Sequence, residues 1–154
     1  MSQISLVGAG PGPLELLTLR ALHRLEAAEV VVYDRLVGSE ILARIPHGAA
    51  RFDVGKRCGE PSPTQEEINA LLLALARTGK RVVRLKGGDP LVFGRGGEEA
   101  LHLARHGIEA ELVPGITAAL GCAASSFIPL THRGLARSLT LVTGHLMDER
   151  DYQG

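Results

Sequence analysis

Apolar residues are distributed along this chain in two alternating patterns. Short runs rich in valine, leucine and isoleucine predict five strands, at residues 4–7, 29–33, 51–54, 82–85 and 110–113. Between these runs, leucine and isoleucine recur at helical spacing, most clearly over 16–25 and 68–75. Strands that alternate with helices indicate an α/β fold with a mainly parallel, five-stranded sheet and flanking helices.

Signals for helix starts lie between the predicted strands. Ser39 is expected to cap a short helix that runs through residue 43. Ser62-Pro63-Thr64 precedes glutamine and two glutamates, which is typical of the first turn of a longer helix. Small residues dominate 116–126, which permits either close helix packing or close approach of a ligand.

Most of the predicted strands end in a turn that contains glycine or charge. Glycine directly after a strand lets a ligand approach the backbone without a Cβ in the way. Ligands of open α/β sheets usually bind at the carboxyl ends of the strands. A ligand site is therefore expected at this edge, with a purely steric turn as the alternative for each motif. The turns are Gly8-Ala9-Gly10-Pro11-Gly12, Asp34-Arg35, Gly55-Lys56-Arg57 and Gly87-Gly88-Asp89.

The first of these turns invites comparison with nicotinamide dinucleotide-binding loops. Their fingerprint requires a third glycine at the position of Pro13, so the spacing disfavours that function. Asp34 could bind a ribose, act as a base, or be an ordinary turn residue. Lys56 could be a solvated lysine or part of the same site.

Composition and charge narrow the possible partners. The chain has 154 residues, 45% of them hydrophobic, which is enough for one domain with a real core. Seventeen basic and seventeen acidic residues cancel, so no global positive field would attract nucleic acid. No apolar stretch is long enough to span a membrane, and a cytoplasmic protein is expected. The two cysteines, Cys58 and Cys122, do not have the ligand spacing of a metal site. His102 and His106 are four residues apart and could present two imidazoles on one helix face, but no carboxylate or third ligand lies at a matching position. Both are expected to be exposed near a helix C-terminus, and no metal is expected.

The end of the chain predicts a boundary. Residues 138–143 read as a further strand, but no crossover helix follows to join it to a parallel neighbour. We therefore expect residues 1–130 to form one α/β domain. Residues 131–154 are expected to be a linker and the opening strand of a second domain that is otherwise absent.

Several motifs together resemble one family closely. VGAGPG, VVVYDRLV, VGKR, RVVRLKGGDPLVFGRGGEE, VPGITAA, IPLTHRG and LVTGH follow one another over residues 7–145. They are similar to the uroporphyrinogen-III C-methyltransferases, within the larger class of tetrapyrrole methylases. That resemblance implies two α/β domains with a ligand cleft between them, and a homodimer.

The resemblance also implies a reaction and a set of site residues. Methyl groups would pass from S-adenosylmethionine to uroporphyrinogen III, giving precorrin-2 and S-adenosylhomocysteine in sirohaem or cobalamin biosynthesis. By motif position, Asp34 resembles the proton acceptor of the family and Lys56 its proton donor. Cofactor contacts are implied for Pro11, Gly87, Gly88, Asp89, Val92, Thr117 and Ala118. A basic lining for the substrate carboxylates would come from Arg35, Arg57, Arg84, Lys86, Arg95, His132 and Arg133.

A different hypothesis is an inactive or regulatory fragment that self-associates through the exposed strand at 138–143. In either case the second domain would supply the remaining cofactor contacts. This chain alone is therefore expected to bind S-adenosylhomocysteine weakly or not at all and to have little activity.

Overall fold

The computed structural model describes residues 4–55 and 62–143. Its strands and helices alternate as the apolar pattern predicts, with one short 3-10 turn at Leu14–Leu16. The strands are β1 (Ile4–Gly8), β2 (Val30–Tyr33), β3 (Ala50–Asp53), β4 (Val82–Lys86) and β5 (Glu111–Val113). The helices are α1 (Leu19–Glu26), α2 (Ser39–Leu42), α3 (Gln65–Ala76), α4 (Gly96–Arg105) and α5 (Ala118–Ser125).

The five strands form one parallel sheet in the order β3-β2-β4-β1-β5. The predicted parallel α/β sheet is therefore confirmed. In register, Gly8 lies opposite Lys86, and Tyr33 lies opposite Leu85. Because all strands run the same way, their carboxyl ends meet at one edge, and the loops from distant parts of the chain are brought together there.

Each face of the sheet packs against its own pair of helices. On one face, Val31 and Leu85 form a buried cluster with Leu25 of α1 and Ile41 of α2. The opposite face forms a second cluster that includes Leu72 of α3 and Leu103 of α4. Successive residues of a strand point to opposite faces, so a strand covered on both sides is apolar at nearly every position.

Two helix starts differ from the expectation. Ser39 is the first residue of α2, and the extended residue that precedes the helix is Gly38, which has no side chain to cap it. Helix α1 begins at Leu19, because the Thr18 hydroxyl accepts a hydrogen bond from the Ala21 amide at 3.2 Å and so terminates the helix there. Residues 14–16 are left as a separate 3-10 turn.

The strand expected at residues 138–143 is not formed. These residues are exposed and pair with no strand of the described sheet. A strand needs a neighbour for its backbone hydrogen bonds, and none of the five described strands pairs with this segment. Self-association through this segment would therefore lack a preformed strand. None of the helices in the described part of the chain is long and apolar enough to cross a membrane.

Candidate functional site

Three loops meet at the carboxyl edge of the sheet through their glycines. A Cβ on Gly115, after β5, would lie 2.2 Å from the carbonyl oxygen of Gly88 and 2.9 Å from the Cα of Gly8. Gly10 and Gly88 exchange two backbone hydrogen bonds, with N–O distances of 3.0 and 2.7 Å. Only glycine allows backbones to approach so closely. These glycines therefore have a steric role, which is to let the three loops pack against one another at the edge of the sheet.

Asp89 connects the loop after β4 with the loop after β5. Its Oδ1 accepts a hydrogen bond from the Leu91 amide at 2.8 Å, and its Oδ2 accepts one from the Gly115 amide at 3.0 Å. Oδ1 of this predicted cofactor residue thus fixes its own loop, and Oδ2 joins that loop to the one after β5.

A cavity of about 440 Å³ opens between these loops. It contains all the residues predicted to contact the cofactor: Pro11, Gly87, Gly88, Asp89, Val92, Thr117 and Ala118. They come from three loops and the start of α5. The cavity falls within the size range of small-molecule sites, about 300–1,000 Å³.

Small residues shape this cavity. Gly121 of α5 is buried against Pro11, and a Cβ there would lie 2.7 Å from both Cβ and Cγ of the proline. Gly87 likewise leaves room for Leu36, whose Cβ would be 2.7 Å from an added Cβ. The small residues of α5 therefore serve close packing next to the site.

Six further residues line the cavity without having been predicted. Phe93 and the nearby Arg95 both have a positive φ, 52° and 57°, which is strained for side chains of this size. Leu141 and Val142 belong to the segment that was expected to be a strand, so the pattern gave no signal that they reach the cavity. The six are Gly10, Leu36, Phe93, Ala119, Leu141 and Val142.

Asp34 lies next to the cavity at the end of β2. Its Oδ1 accepts a hydrogen bond from the amide of Leu36, a cavity residue, at 3.1 Å. Its Oδ2 lies 3.7 Å from a terminal nitrogen of Arg84, and 24% of its side chain is exposed. A carboxylate that is oriented but still reachable suits proton transfer. Lys56, the predicted proton donor, lies outside the described residues.

Arg84 and Lys86 are buried rather than displayed to solvent. They are 3% and 4% exposed, and both donate to Oε1 of Glu99 on α4, at 3.2 and 2.9 Å. Burial and the positive charge of Arg84 lower the pKa of Lys86, while Glu99 and Asp34 oppose that shift. The sequence had no signal for Glu99 beyond its place in the acidic first turn of α4.

The other predicted substrate residues are dispersed. Arg95 lines a second cavity of about 530 Å³ together with Arg84 and Lys86, and it is exposed and paired with Glu98 at 2.7 Å. Arg35 is exposed at the end of β2. His132 and Arg133 are exposed in a turn that is closed by hydrogen bonds between His132 and Ala136. Arg57 lies outside the described residues.

The two histidines of α4 contact each other rather than a cluster of ligands. Their ring centroids are 4.6 Å apart, and His106 Nδ1 lies 2.8 Å from the carbonyl oxygen of His102. His102 is half-buried, although both were expected to be exposed. Within the described ranges, no group of three or more metal-ligating side chains occurs.

Known proteins with similar sequences point to one family. The family model described as Tetrapyrrole (Corrin/Porphyrin) Methylases matches residues 3–153. A siroheme synthase of Pseudomonas putida is 58% identical over 146 residues, and one of Azotobacter vinelandii is 57% identical over 148 residues. These alignments cover 95% and 96% of this chain but only 32% of either relative, so the chain spans about a third of their length.

Solved structures give the same result. The uroporphyrin-III-C-methyltransferase of Thermus thermophilus is 55% identical, with a TM-score of 0.76 over 87% of this chain and 56% of that one. A structure of the Thermus enzyme complexed with S-adenyl homocysteine has a TM-score of 0.75, with 88% of this chain covered. A cobalt precorrin-4 methyltransferase is 35% identical, with a TM-score of 0.72. With a family model that matches nearly the whole chain and a fold that agrees, this chain belongs to the tetrapyrrole (corrin/porphyrin) methylase family.

Proposed function

We propose that this chain forms the S-adenosylmethionine-binding part of a uroporphyrinogen-III C-methyltransferase, which gives precorrin-2 and S-adenosylhomocysteine. One observation carries the proposal: residues that motif position assigns to cofactor binding, although far apart in sequence, line a single cavity at the carboxyl edge of the sheet. The Thermus enzyme that resembles this chain was solved with S-adenyl homocysteine, which supports the same ligand here.

The residues of the cavity fit such a cofactor. Gly88 has a φ of +65°, and a Cβ there would project toward Thr117 and Ala118 at 3.7–3.8 Å, so a side chain would occupy the space of the ligand. Pro11, Val92 and Ala118 offer apolar contacts, and Gly87 lines the cavity without a side chain that would keep a polar ligand away from its main chain. A mostly apolar pocket with a few fixed polar groups is typical of cofactor sites.

Bound S-adenosylmethionine would supply an electrophilic methyl group on a sulfonium. The protein then has to hold donor and acceptor in line and exclude water. Asp34 is proposed to accept the proton that the cationic ring system loses after the carbon has been methylated. Lys56 is proposed as the proton donor on the strength of its motif position, GKR after β3.

A tetrapyrrole substrate with many carboxylates needs cations around the cleft. Arg35 and Arg95 are exposed at this edge and remain our candidates, as do Arg57, His132 and Arg133 by motif position. Arg84 and Lys86 also belong to the proposed basic lining, but their charges already face Glu99. Their part in substrate binding would therefore be indirect.

We further propose that residues from 131 onward connect to a second domain that completes the cleft. We also propose that the whole protein is a cytoplasmic homodimer without nucleic-acid or membrane partners. The chain covers only 56% of the Thermus structure, which supports a missing part. Phe127 and Ile128 after α5 are 94% and 61% exposed, which supports a covering protein surface. Light scattering of the whole protein should give twice the protomer mass. A monomer would contradict the dimer.

Binding is tested best by NMR, which detects weak complexes. Millimolar S-adenosylhomocysteine should shift the amides of Gly87, Gly88 and Thr117, and NADH should not. Ala118→Leu fills the cavity and should abolish the shifts, while Ala124→Leu, exposed on the same helix, should keep them. Equal shifts with NADH, or no shifts in the chain completed with the second half of a relative, would contradict the proposal. Micromolar affinity by calorimetry would instead contradict the need for a second domain.

Catalysis is tested in the chain completed with the second half of a relative. Incubation with uroporphyrinogen III and labelled methyl donor should give methylated product, and Asp34→Ala should abolish the label. The control is Glu40→Ala, which removes an exposed carboxylate from α2, the helix that follows Asp34. An unchanged rate in Asp34→Ala would remove the acid-base role of Asp34.

A further inference from the structure

Glu99 is the most deeply buried charge of the described chain. Its side chain has no exposed surface, and its Oε1 accepts hydrogen bonds from Lys86 at 2.9 Å and Arg84 at 3.2 Å. Gln65 of α3 approaches the same oxygen at 3.4 Å. With Asp34 beside Arg84, two cations and two carboxylates face one another under α3 and α4.

Every nitrogen of Arg84 is engaged within the chain. Nε faces Glu99, one terminal nitrogen donates to the carbonyl oxygen of Leu85 at 3.1 Å, and the other lies 3.7 Å from Oδ2 of Asp34. The guanidinium is rigid and planar, so fixing Nε and one terminal nitrogen also fixes the third. The direction of Arg84 toward Asp34 is therefore set by Glu99 together with the carbonyl of Leu85.

Stability alone does not explain this arrangement. Oε2 of Glu99 is buried and has no hydrogen-bond partner among the described residues, which is costly for a carboxylate. Apolar residues of similar volume often replace a buried ion pair without loss of stability. A role in orienting Arg84 therefore explains this cluster better than a role in stabilising the fold.

We propose that Glu99 is a positioning residue that acts through Arg84 on Asp34. It anchors the guanidinium so that the carboxylate of Asp34 is held between Arg84 and the Leu36 amide. The inference rests on the proposed function in so far as Asp34 is the proton acceptor. The placement itself is a property of the chain and does not depend on methyl transfer.

The Leu36 amide is a reporter for the orientation of Asp34, because it donates a hydrogen bond to Asp34 Oδ1. In proton–nitrogen NMR spectra, Asp34→Ala defines the full shift of this amide. Glu99→Gln keeps the shape but removes the anchor charge, and it should produce at least half of that shift. Glu98→Gln is the matched control, since it removes an exposed carboxylate one residue away, and it should leave the amide in place.

Loss of Glu99 alone leaves two buried cations facing Asp34 only, so the single variant could unfold. Lys86→Met/Glu99→Gln removes one cation together with the anion and keeps the cluster near charge balance. A Leu36 amide at its wild-type position in either folded variant overturns the proposal. If the amide moves but Asp34→Ala leaves methyl transfer unchanged in the completed enzyme, the positioning role holds and the proposed function of Asp34 fails.

Discussion

Gly115→Ala tests the contact on which the whole carboxyl edge depends. The added methyl carbon would lie 2.2 Å from the Gly88 carbonyl oxygen and 2.9 Å from Cα of Gly8, and all of these atoms are backbone. Ordinary van der Waals contact begins at 3.4 Å, so the Gly88 loop has to move by roughly 1 Å. That movement strains the hydrogen bond from the Gly10 amide to the same oxygen, which is 3.0 Å long.

The expected loss of stability combines overpacking with a weakened hydrogen bond. Overpacking costs about 1–3 kcal/mol, and a lost hydrogen bond costs about 1 kcal/mol. We expect Gly115→Ala to lower the free energy of unfolding by about 3 kcal/mol, measured by urea titration followed by circular dichroism. The cavity residues Gly88 and Thr117 should also show shifted amides in NMR spectra.

Gly97→Ala is the control for this experiment. Gly97 lies in the first turn of α4, its φ is not positive, and an added Cβ meets nothing within 4 Å. Alanine there should raise stability by about 0.5–1 kcal/mol, because it reduces the freedom of the unfolded chain. A Gly115→Ala variant within about 0.5 kcal/mol of the wild type would show that the three loops do not pack as described.

Three more substitutions test other parts of the chain by urea unfolding. Leu103→Ala removes a side chain with no exposed surface between α4 and the sheet and should cost about 2–5 kcal/mol; a cost below about 1 kcal/mol would contradict its burial. Thr64→Ala removes the cap of α3 and should cost about 1 kcal/mol, and Thr64→Ser should restore most of it. The hydrogen bond from Arg24 lowers the pKa of Glu111 below 4.5, so this pair stabilises the fold above that pH and the contribution disappears as the pH falls through the folded pKa. When the pH is lowered from 7 to below the folded pKa of Glu111, the free energy of unfolding of Glu111→Gln should therefore fall less than that of the wild type. Equal falls would refute the assignment.

Local chemistry explains why much of the fold was predictable. β1, β2 and β4 contain short apolar runs, and most strands are followed by a turn with glycine or charge, so element order and type largely follow from neighbours in sequence. One error occurred where a capping residue overrode the leucine spacing. Thr18 caps α1 and thereby separates residues 14–16 from it, although leucine spacing alone favoured one continuous helix.

The strand expected over residues 138–143 has a different explanation. Its alternation is real, but a strand exists only when another backbone satisfies its hydrogen bonds, and the described sheet provides none. Leu141 and Val142 lie instead against the cavity at the sheet edge. Pairing of this kind is a property of the surroundings and cannot be predicted from the segment itself.

The sequence by itself determined the alternation of strands and helices and the parallel sheet, because these depend on residue types within a few positions of one another. Only the tertiary structure decided the strand order β3-β2-β4-β1-β5 and the meeting of Gly8, Gly88 and Gly115. It also decided whether the basic residues of RLKGGD are buried or exposed to solvent. A basic residue in a motif looks equally suited to solvent or substrate, but packing of α4 over β4 buries Arg84 and Lys86 against Glu99. Burial depends on which elements pack together, and charge patterns along a chain carry no information about that.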